Sequence, residues 1–442
     1  MTVARRKSIF SSSGLVPILC AAIGAAACSS DAPVSDQYSD QSGACSIDAE
    51  GVWTYNDPRP ASELPKIGVT HVLTVGGLDD DTGEPMRTVQ AGLLLESGRF
   101  AVLSGWTELL IYGPDGRQIS VVGRDGEGPG EFRQATHMGL RADGTIWVWD
   151  VLLHRLSELS PDGELLESRT LHSPDPPPPG ALGLLEDGSV VAAQTRIVRI
   201  ADQRRRGIWR NPKRYLRQGV HGDWTVLAEV PGDEIYSVDL GDRVSPGRVL
   251  FGATTVGTVN DDLLYLIDTA ETSVVGTRGD GTVATRISLG LEGAPVPAGI
   301  EEKERRRRSE RYDYLRSTTP LMSQVSEIMR ERALAVPARD VLLPVRSIRS
   351  GVPGELWLQL QAGDEKGSRT WVAVRPQEGT SRVMELPEGH RFLHATRSSV
   401  LTTSVGTLDE PYVSVFERND SDVTPGRGCL PLSAREATDE SS

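Results

Sequence analysis

Seven histidines, four cysteines and one dense run of arginines are the residues of this chain whose types could do chemistry. A catalytic zinc needs at least three convergent ligands and an open position. His71, His137, His154, His172, His221, His390 and His394 do not fall into such a set. His137 and His394 lie near corresponding strand positions of the repeats described below, but three intervening repeats supply no partner, so no metal and no other cofactor is expected. Arg204, Arg205, Arg206, Arg210, Lys213, Arg214 and Arg217, interleaved with Trp209 and Tyr215, form the sharpest basic patch. Guanidinium groups and aromatic faces together suit an anionic glycan, a lipid head group or a partner protein, and a solvated loop is the plainer reading. Arg124, Glu127 and Glu131 stand in the turn Gly123-Arg124-Asp125-Gly126-Glu127-Gly128-Pro129-Gly130-Glu131-Phe132, where they could face a ligand. Its glycines and proline are also what a sharp crossover between strands requires. Arg305 to Arg308 sit among Glu301, Glu302, Glu304 and Glu310, and pairing along a helix accounts for them. The chain has no Gly-x-Ser-x-Gly elbow, no Cys-x-x-Cys and no phosphate loop.

The elements that would position these residues are read from one stretch, Gly123 to Gly163. After the turn just quoted, Ala142-Asp143-Gly144 reverses the chain, and Thr145-Ile146-Trp147-Val148-Trp149 reads as a strand because β-branched and aromatic residues favour the pleated surface. Arg155 to Leu159 is a second strand, closed by Ser160-Pro161-Asp162-Gly163. Used as a ruler, this pattern asks for a turn residue, an extended apolar run, and a small or polar residue six positions after the turn. Six segments satisfy it: Gly98 to Ser104, Gly144 to Asp150, Gly188 to Gln194, Asp262 to Asp268, Gly354 to Leu360 and Ser398 to Ser404. The starts are separated by 46, 44, 74, 92 and 44 residues, and repeats of about 40 to 50 residues with several strands each mark propeller blades. A polar, arginine-rich insertion at about 199–223 and a charged helical one at about 291–340 explain the two long intervals. Val69 to Val75 reads as an isolated strand that completes the last blade and closes the ring, leaving no open seam. Asp150 and Asp268, at strand ends, are expected to cap the turns that follow.

The chain has 442 residues, a formal charge of -14, 38% hydrophobic and 24% charged residues. That is the composition of a globular protein, and its acidity disfavours nucleic acid as a partner. Arg5, Arg6 and Lys7 followed by the apolar Gly14 to Ala27 form an export signal, too short to stay as a membrane span. Ala25-Ala26-Ala27-Cys28 resembles the lipobox of bacterial lipoproteins, which implies cleavage before Cys28 and lipidation of its thiol. With Cys28 lipidated, Cys45 and Cys429 are left in an exported chain, and a disulfide between them is expected to clip the ends of the body together. Residues 1–27 thus read as signal peptide, 28–60 as a flexible tether, 61–420 as the propeller and 421–442 as a polar tail.

The GEGPGEF turn with Val122-Gly123-Arg124 before it, Asp143-Gly144, Trp147-Val148-Trp149-Asp150 and Arg155-Leu156 resembles the bacterial six-bladed β-propeller lipoproteins related to NHL-repeat proteins. The likeness covers about 65–420 and departs at Gln194, Leu360 and Ser404, where the better repeats carry Asp. It implies an all-β propeller outside the cytoplasm but no single activity. The expectation is therefore a monomeric binding or interaction module of the cell envelope, anchored by lipid to the outer membrane and catalysing nothing. An envelope protein or glycan would be its partner. The alternative is a propeller hydrolase or lyase with its site in the central channel.

Overall fold

The computed structural model describes residues 44–77, 85–171, 180–195, 205–220, 222–241, 244–318, 323–361 and 369–420. Each of the six runs picked out by the ruler is the second strand of an antiparallel meander. The turns before these strands have the residues their backbone needs. Gly144 sits at φ 84°, where a Cβ would be strained, and the Asp262 turn instead uses Asp261 and Asp262 at φ 48° and 57°, the paired left-handed geometry of a tight hairpin.

Three strands precede the repeats: β1 (Ala44–Ile47), β2 (Trp53–Asp57) and β3 (Lys66–Gly76). The first meander is β4 (Val89–Leu94), β5 (Phe100–Ser104), β6 (Glu108–Tyr112) and β7 (Gln118–Val122), and the second is β8 (Ala135–Leu140), β9 (Ile146–Asp150), β10 (Arg155–Leu159) and β11 (Leu165–Thr170). The third has five strands, β12 (Gly180–Leu184), β13 (Val190–Thr195), β14 (Ile208–Gln218), β15 (Trp224–Asp239) and β16 (Val244–Arg248). The fourth is β17 (Thr255–Asn260), β18 (Leu263–Asp268), β19 (Ser273–Thr277) and β20 (Val283–Leu289). A short pair, β21 (Ala294–Pro295) with β22 (Val341–Leu342), closes the base of a helical excursion made of α1 (Ile300–Thr318) and α2 (Ser323–Ala335). The fifth meander is β23 (Val345–Ser350), β24 (Leu356–Leu360), β25 (Thr370–Arg375) and β26 (Thr380–Glu385). The sixth has β27 (Arg391–Ala395), β28 (Ser399–Val405) and β29 (Pro411–Asn419), with β3 as its fourth strand.

Apolar clusters fill every gap between successive meanders. Leu103, Ile111, Ile146 and Val148 join the first to the second, Trp149, Leu156, Ala181 and Val190 the second to the third, and Val191, Tyr215, Val259 and Leu264 the third to the fourth. Ile267, Ile287, Ile348 and Leu358 join the fourth to the fifth, and Trp357, Trp371, Phe392 and Phe416 the fifth to the sixth. Val75, Leu401 and Val413 of the sixth then meet Phe100, Val102 and Tyr112 of the first. The ring is closed, and the fold is a β-propeller whose blades are the meanders.

The first segment of the chain runs along the outside of three blades. β2 pairs in parallel with β20, Lys66 and Ile67 at the start of β3 pair in parallel with β26, and the rest of β3 pairs antiparallel with β29. Tyr55, fully buried, holds this segment by hydrogen bonds with Ser381 at 2.9 Å and to Asp57 at 3.1 Å. Among the described residues strands are present from Ala44, inside the segment 28–60 read from composition as a tether. Their Ser- and Asp-rich flanks masked two strands too short to show a clear period.

The region expected as an insertion at about 199–223 needs a second correction. It contains the whole of β14, the third strand of its own blade, paired with β13 and β15. Pro212 opposite Pro231 and the arginines facing cross-strand acids hid its alternation. The helical excursion stands where the pattern placed it. It folds back so that Val336 packs with Val238 and Leu250 beside the outer strand of the third blade.

The densest buried charge lies at the seam between the fifth and sixth blades. Glu355, with no exposed surface, accepts hydrogen bonds from Arg375 Nε at 2.7 Å, from Arg418 Nη2 at 2.8 Å and from Trp357 Nε1 at 2.9 Å. Arg418 and Arg375 continue to Asp420, and the Arg418 guanidinium lies 4.9 Å from the Trp357 ring centre. Removing one member of a buried ion network strands the opposite charge, which costs about 3–5 kcal/mol. Glu355→Ala should lower stability by about that amount in urea unfolding, and a midpoint equal to wild type would refute the role given to this node.

Candidate functional site: the central channel

The innermost strand of each blade is covered on its outer edge by the second strand and on both faces by neighbouring blades. A side chain in the middle of such a strand that still reaches water must do so through the channel. His137 on β8, Arg346 and Arg349 on β23 and Arg391 on β27 are all exposed by this route. The inner strands are also irregular at one level. Gln90, Thr136, Leu182, Arg346 and Leu393 are each the extra residue of a bulge between the first and second strands of their blades. A bulge re-aims neighbouring side chains, and bulges gather at barrel rims and near sites.

The charges that meet in the channel are positive. Arg391 Nη2 donates to the Val89 carbonyl at 2.9 Å, bridging the sixth and first blades. Among the described residues Arg349 has no hydrogen bond and no ion pair. Although its side chain reaches water, the protein packed around Arg349 and the adjacent Arg391 charge both press its guanidinium below its ordinary pKa. In the same way the protein packed around His137, with a smaller push from Arg349, lowers it to about 4. His137 belongs to the second meander and Arg349 to the fifth, on opposite sides of the ring. The effect of one upon the other therefore acts through the channel. His394, enclosed beside β4, accepts a hydrogen bond at Nδ1 from the Leu94 amide at 3.2 Å, and burial lowers it to about 4 against an opposing pull from Glu355.

Most of the charged residues expected from the sequence are engaged with neighbours. In the GEGPGEF turn Glu131 accepts from the Gly128 amide and from Arg124, both at 2.8 Å, Glu127 accepts from Arg133 at 2.8 Å, and Arg155 donates to the carbonyls of Glu127 and Glu131. A Cβ at Gly126 would lie 2.0 Å from the Glu131 carboxylate, which would have to move, and these charges are engaged in holding the crossover. Of the basic patch, Arg210 pairs with Asp268 and donates to the Gly232 carbonyl at 2.8 Å, Lys213 donates to the Thr255 carbonyl at 2.7 Å, Arg214 pairs with Glu229 at 2.6 Å, and Arg217 donates to the Gly279 carbonyl at 2.9 Å. Arg205 lies 5.7 Å from the centre of the Trp209 ring, and Arg206 is exposed. Arg204, His172, His221, Cys28 and Cys429 lie outside the described residues, and Cys45 is in β1.

Asp150 does cap. Its Oδ2 accepts from the amides of Arg133 and Gln134 at 2.6 and 3.0 Å and its Oδ1 from those of Leu152 and Leu153 at 3.0 and 2.9 Å. Ser104, at the same place in the first blade, accepts from the Arg87 amide at 2.9 Å. Asp268 accepts from the Ala270 amide at 3.1 Å. His71 and His390 both pack edge-on against Phe416, with centroids 5.6 and 5.3 Å away. Among the described residues no group of three His, Cys, Asp or Glu side chains converges as a metal site would. The arginines of the channel were missed, although a signal exists: the inner strand lies just before each ruler turn, and Arg349 stands five residues before Gly354 as His137 stands seven before Gly144.

No protein-family model matches the chain, and no curated protein does. Among solved structures it is similar to a Bacteroides fragilis protein assigned as exported, at 10% identity and a TM-score of 0.46 over 83% of this chain and 99% of the other. A Bacteroides vulgatus member of the DUF4221 family is matched at 10% identity and 0.45 over 81% and 100%. Virginiamycin B lyase from Staphylococcus aureus is matched at 12% and 0.36 over 79% and 99%. The architecture stated above rests on the strand pairing and the inter-blade clusters.

His137 and His394 are both held neutral at pH 7. Each binds fewer protons than in the unfolded chain between pH 6.5 and about 4. Their contribution is whole above 6.5 and is lost as the pH falls through that window. His137→Gln and His394→Asn should each flatten the dependence of Tm on pH between 6.5 and 4. An unchanged slope in both would refute these assignments.

Proposed function

We propose that the chain is an exported, lipid-anchored six-bladed propeller of the NHL-related kind, which holds a ligand in its channel without acting on it chemically. The observation that carries this reading is the set of groups that line the channel: Arg349, Arg391 and His137, whose Nδ1 is hydrogen-bonded to the Thr136 hydroxyl at 2.8 Å. A histidine held at about 4 is a weak base at neutral pH, far from the matched value that general-base catalysis favours. The Nδ1 of His394 is already taken by a backbone amide.

The anchor in this reading is Cys28, reached through Ala25-Ala26-Ala27, and a Cys45–Cys429 disulfide ties the two ends of the body. The envelope location, on the outer membrane, follows from the same leader. A glycan or a protein of that compartment would be the partner. Cys28→Ser should move the protein from the membrane fraction to the soluble fraction of a bacterial host and abolish incorporation of labelled fatty acid. Membrane retention of that variant would defeat the anchor.

A further inference from the structure

We infer that the ligand of the channel is a small oxyanion, of the phosphate, sulfate or carboxylate class, gripped by Arg349 and Arg391 with His137 on the opposite wall. The inference rests on the channel-binding reading above and specifies its chemistry. Arg349 is enclosed by the ring, still reaches water, and has neither an ion pair nor a hydrogen bond among the described residues. Arg391 uses one N–H on the Val89 carbonyl. These two guanidinium groups lie on the first strands of adjacent blades, β23 and β27, both reach water, and the Arg391 charge acts on Arg349.

Enclosing like charges together is unfavourable, and the cost is steep where protein walls replace water. An anion between them converts that repulsion into two attractions. Arginine suits an oxyanion better than lysine would, because its planar fork presents parallel N–H donors to two oxygens. His137, neutral at the working pH, can donate one N–H without adding a charge. Elsewhere the chain carries a surplus of acid, with a formal charge of -14. Large polyanions are therefore repelled from the body, while a small one is drawn into the cationic channel, where low-dielectric walls concentrate the field.

The test uses the mature chain at pH 7.5 and constant ionic strength, titrated with inorganic phosphate and sodium sulfate against a chloride control. Thermal shift and calorimetry are the readouts. Saturable stabilisation by phosphate or sulfate is expected, and Arg349→Gln and Arg391→Gln should each weaken it about tenfold or more, as for loss of a charge-assisted hydrogen bond. Arg349→Lys should fall in between. In the absence of anion, Arg349→Gln should keep or raise Tm, because a repulsion is relieved. A lowered Tm would make Arg349 a structural group and overturn the inference. Equal anion binding by wild type and Arg349→Gln would overturn it too. Native mass spectrometry of protein taken from the envelope separates the two levels. An uncharged molecule bound to wild type and absent from Arg349→Gln would keep the channel as a binding site while refuting the oxyanion. No bound molecule together with no anion response would defeat both readings.

Discussion

The rest of the structure depends on one pairing, that of β3 with β29. A ring of sheets packed face to face has a first and a last member, and nothing in the repeats themselves joins them. Here the join is made by main-chain hydrogen bonds between segments more than three hundred residues apart, from Gly68 opposite Asn419 to Gly76 opposite Tyr412. Val75 carries the closure into the apolar gap between the sixth and first blades, and Ile67 and Phe416 carry it into the gap between the fifth and sixth. The Glu355–Arg418 node adds a directional element at the end of β29. Because every gap is filled from both sides, no blade can leave without exposing two apolar faces.

Much of this architecture was legible because propeller blades impose local rules on sequence. Gly144 must be glycine for its backbone, Ile146 to Trp149 must be extended and apolar, and a polar atom six residues after the turn must catch the incoming chain. Asp150 and Ser104 do this by the same hydrogen bond to an amide of the preceding crossover. The ruler therefore found all six second strands. It was silent where a strand obeys tertiary rather than local demands. β2 is recruited by the outer edge of the fourth blade, and Tyr55 is recognisable as a core residue only once Ser381 is beside it. β14 carries Arg210, Lys213, Arg214 and Arg217, which look like a surface loop until their partners on other strands are known.

The site was less legible than the fold for a related reason. Sequence reading favours clusters close along the chain, and the basic run near Trp209 and the GEGPGEF turn are such clusters. In both, proximity along the chain reflects mutual support: Arg124 neutralises Glu131, and Arg210 anchors a long hairpin to Asp268. The channel instead collects residues from three different blades, with His137 more than two hundred positions from Arg349 and Arg391. Arg349 reads as an ordinary polar residue of an alternating strand, and only the ring shows that the side it faces is shared with His137.

The course of the leading segment has a mechanical consequence. Between Trp53 and Gly76 the chain lies against the outer strands of three successive blades, in parallel along β20 and β26 and antiparallel along β29. Tension applied at Ala44 would act first on the β1–β2 hairpin and then load the ladder between β2 and β20 lengthwise, so that the hydrogen bonds of that ladder resist together as a shear joint instead of opening one at a time. The force would then be shared with the body of the fourth blade before reaching β3. A ring built in this way can be tugged at its leading end while its closing strand stays at rest.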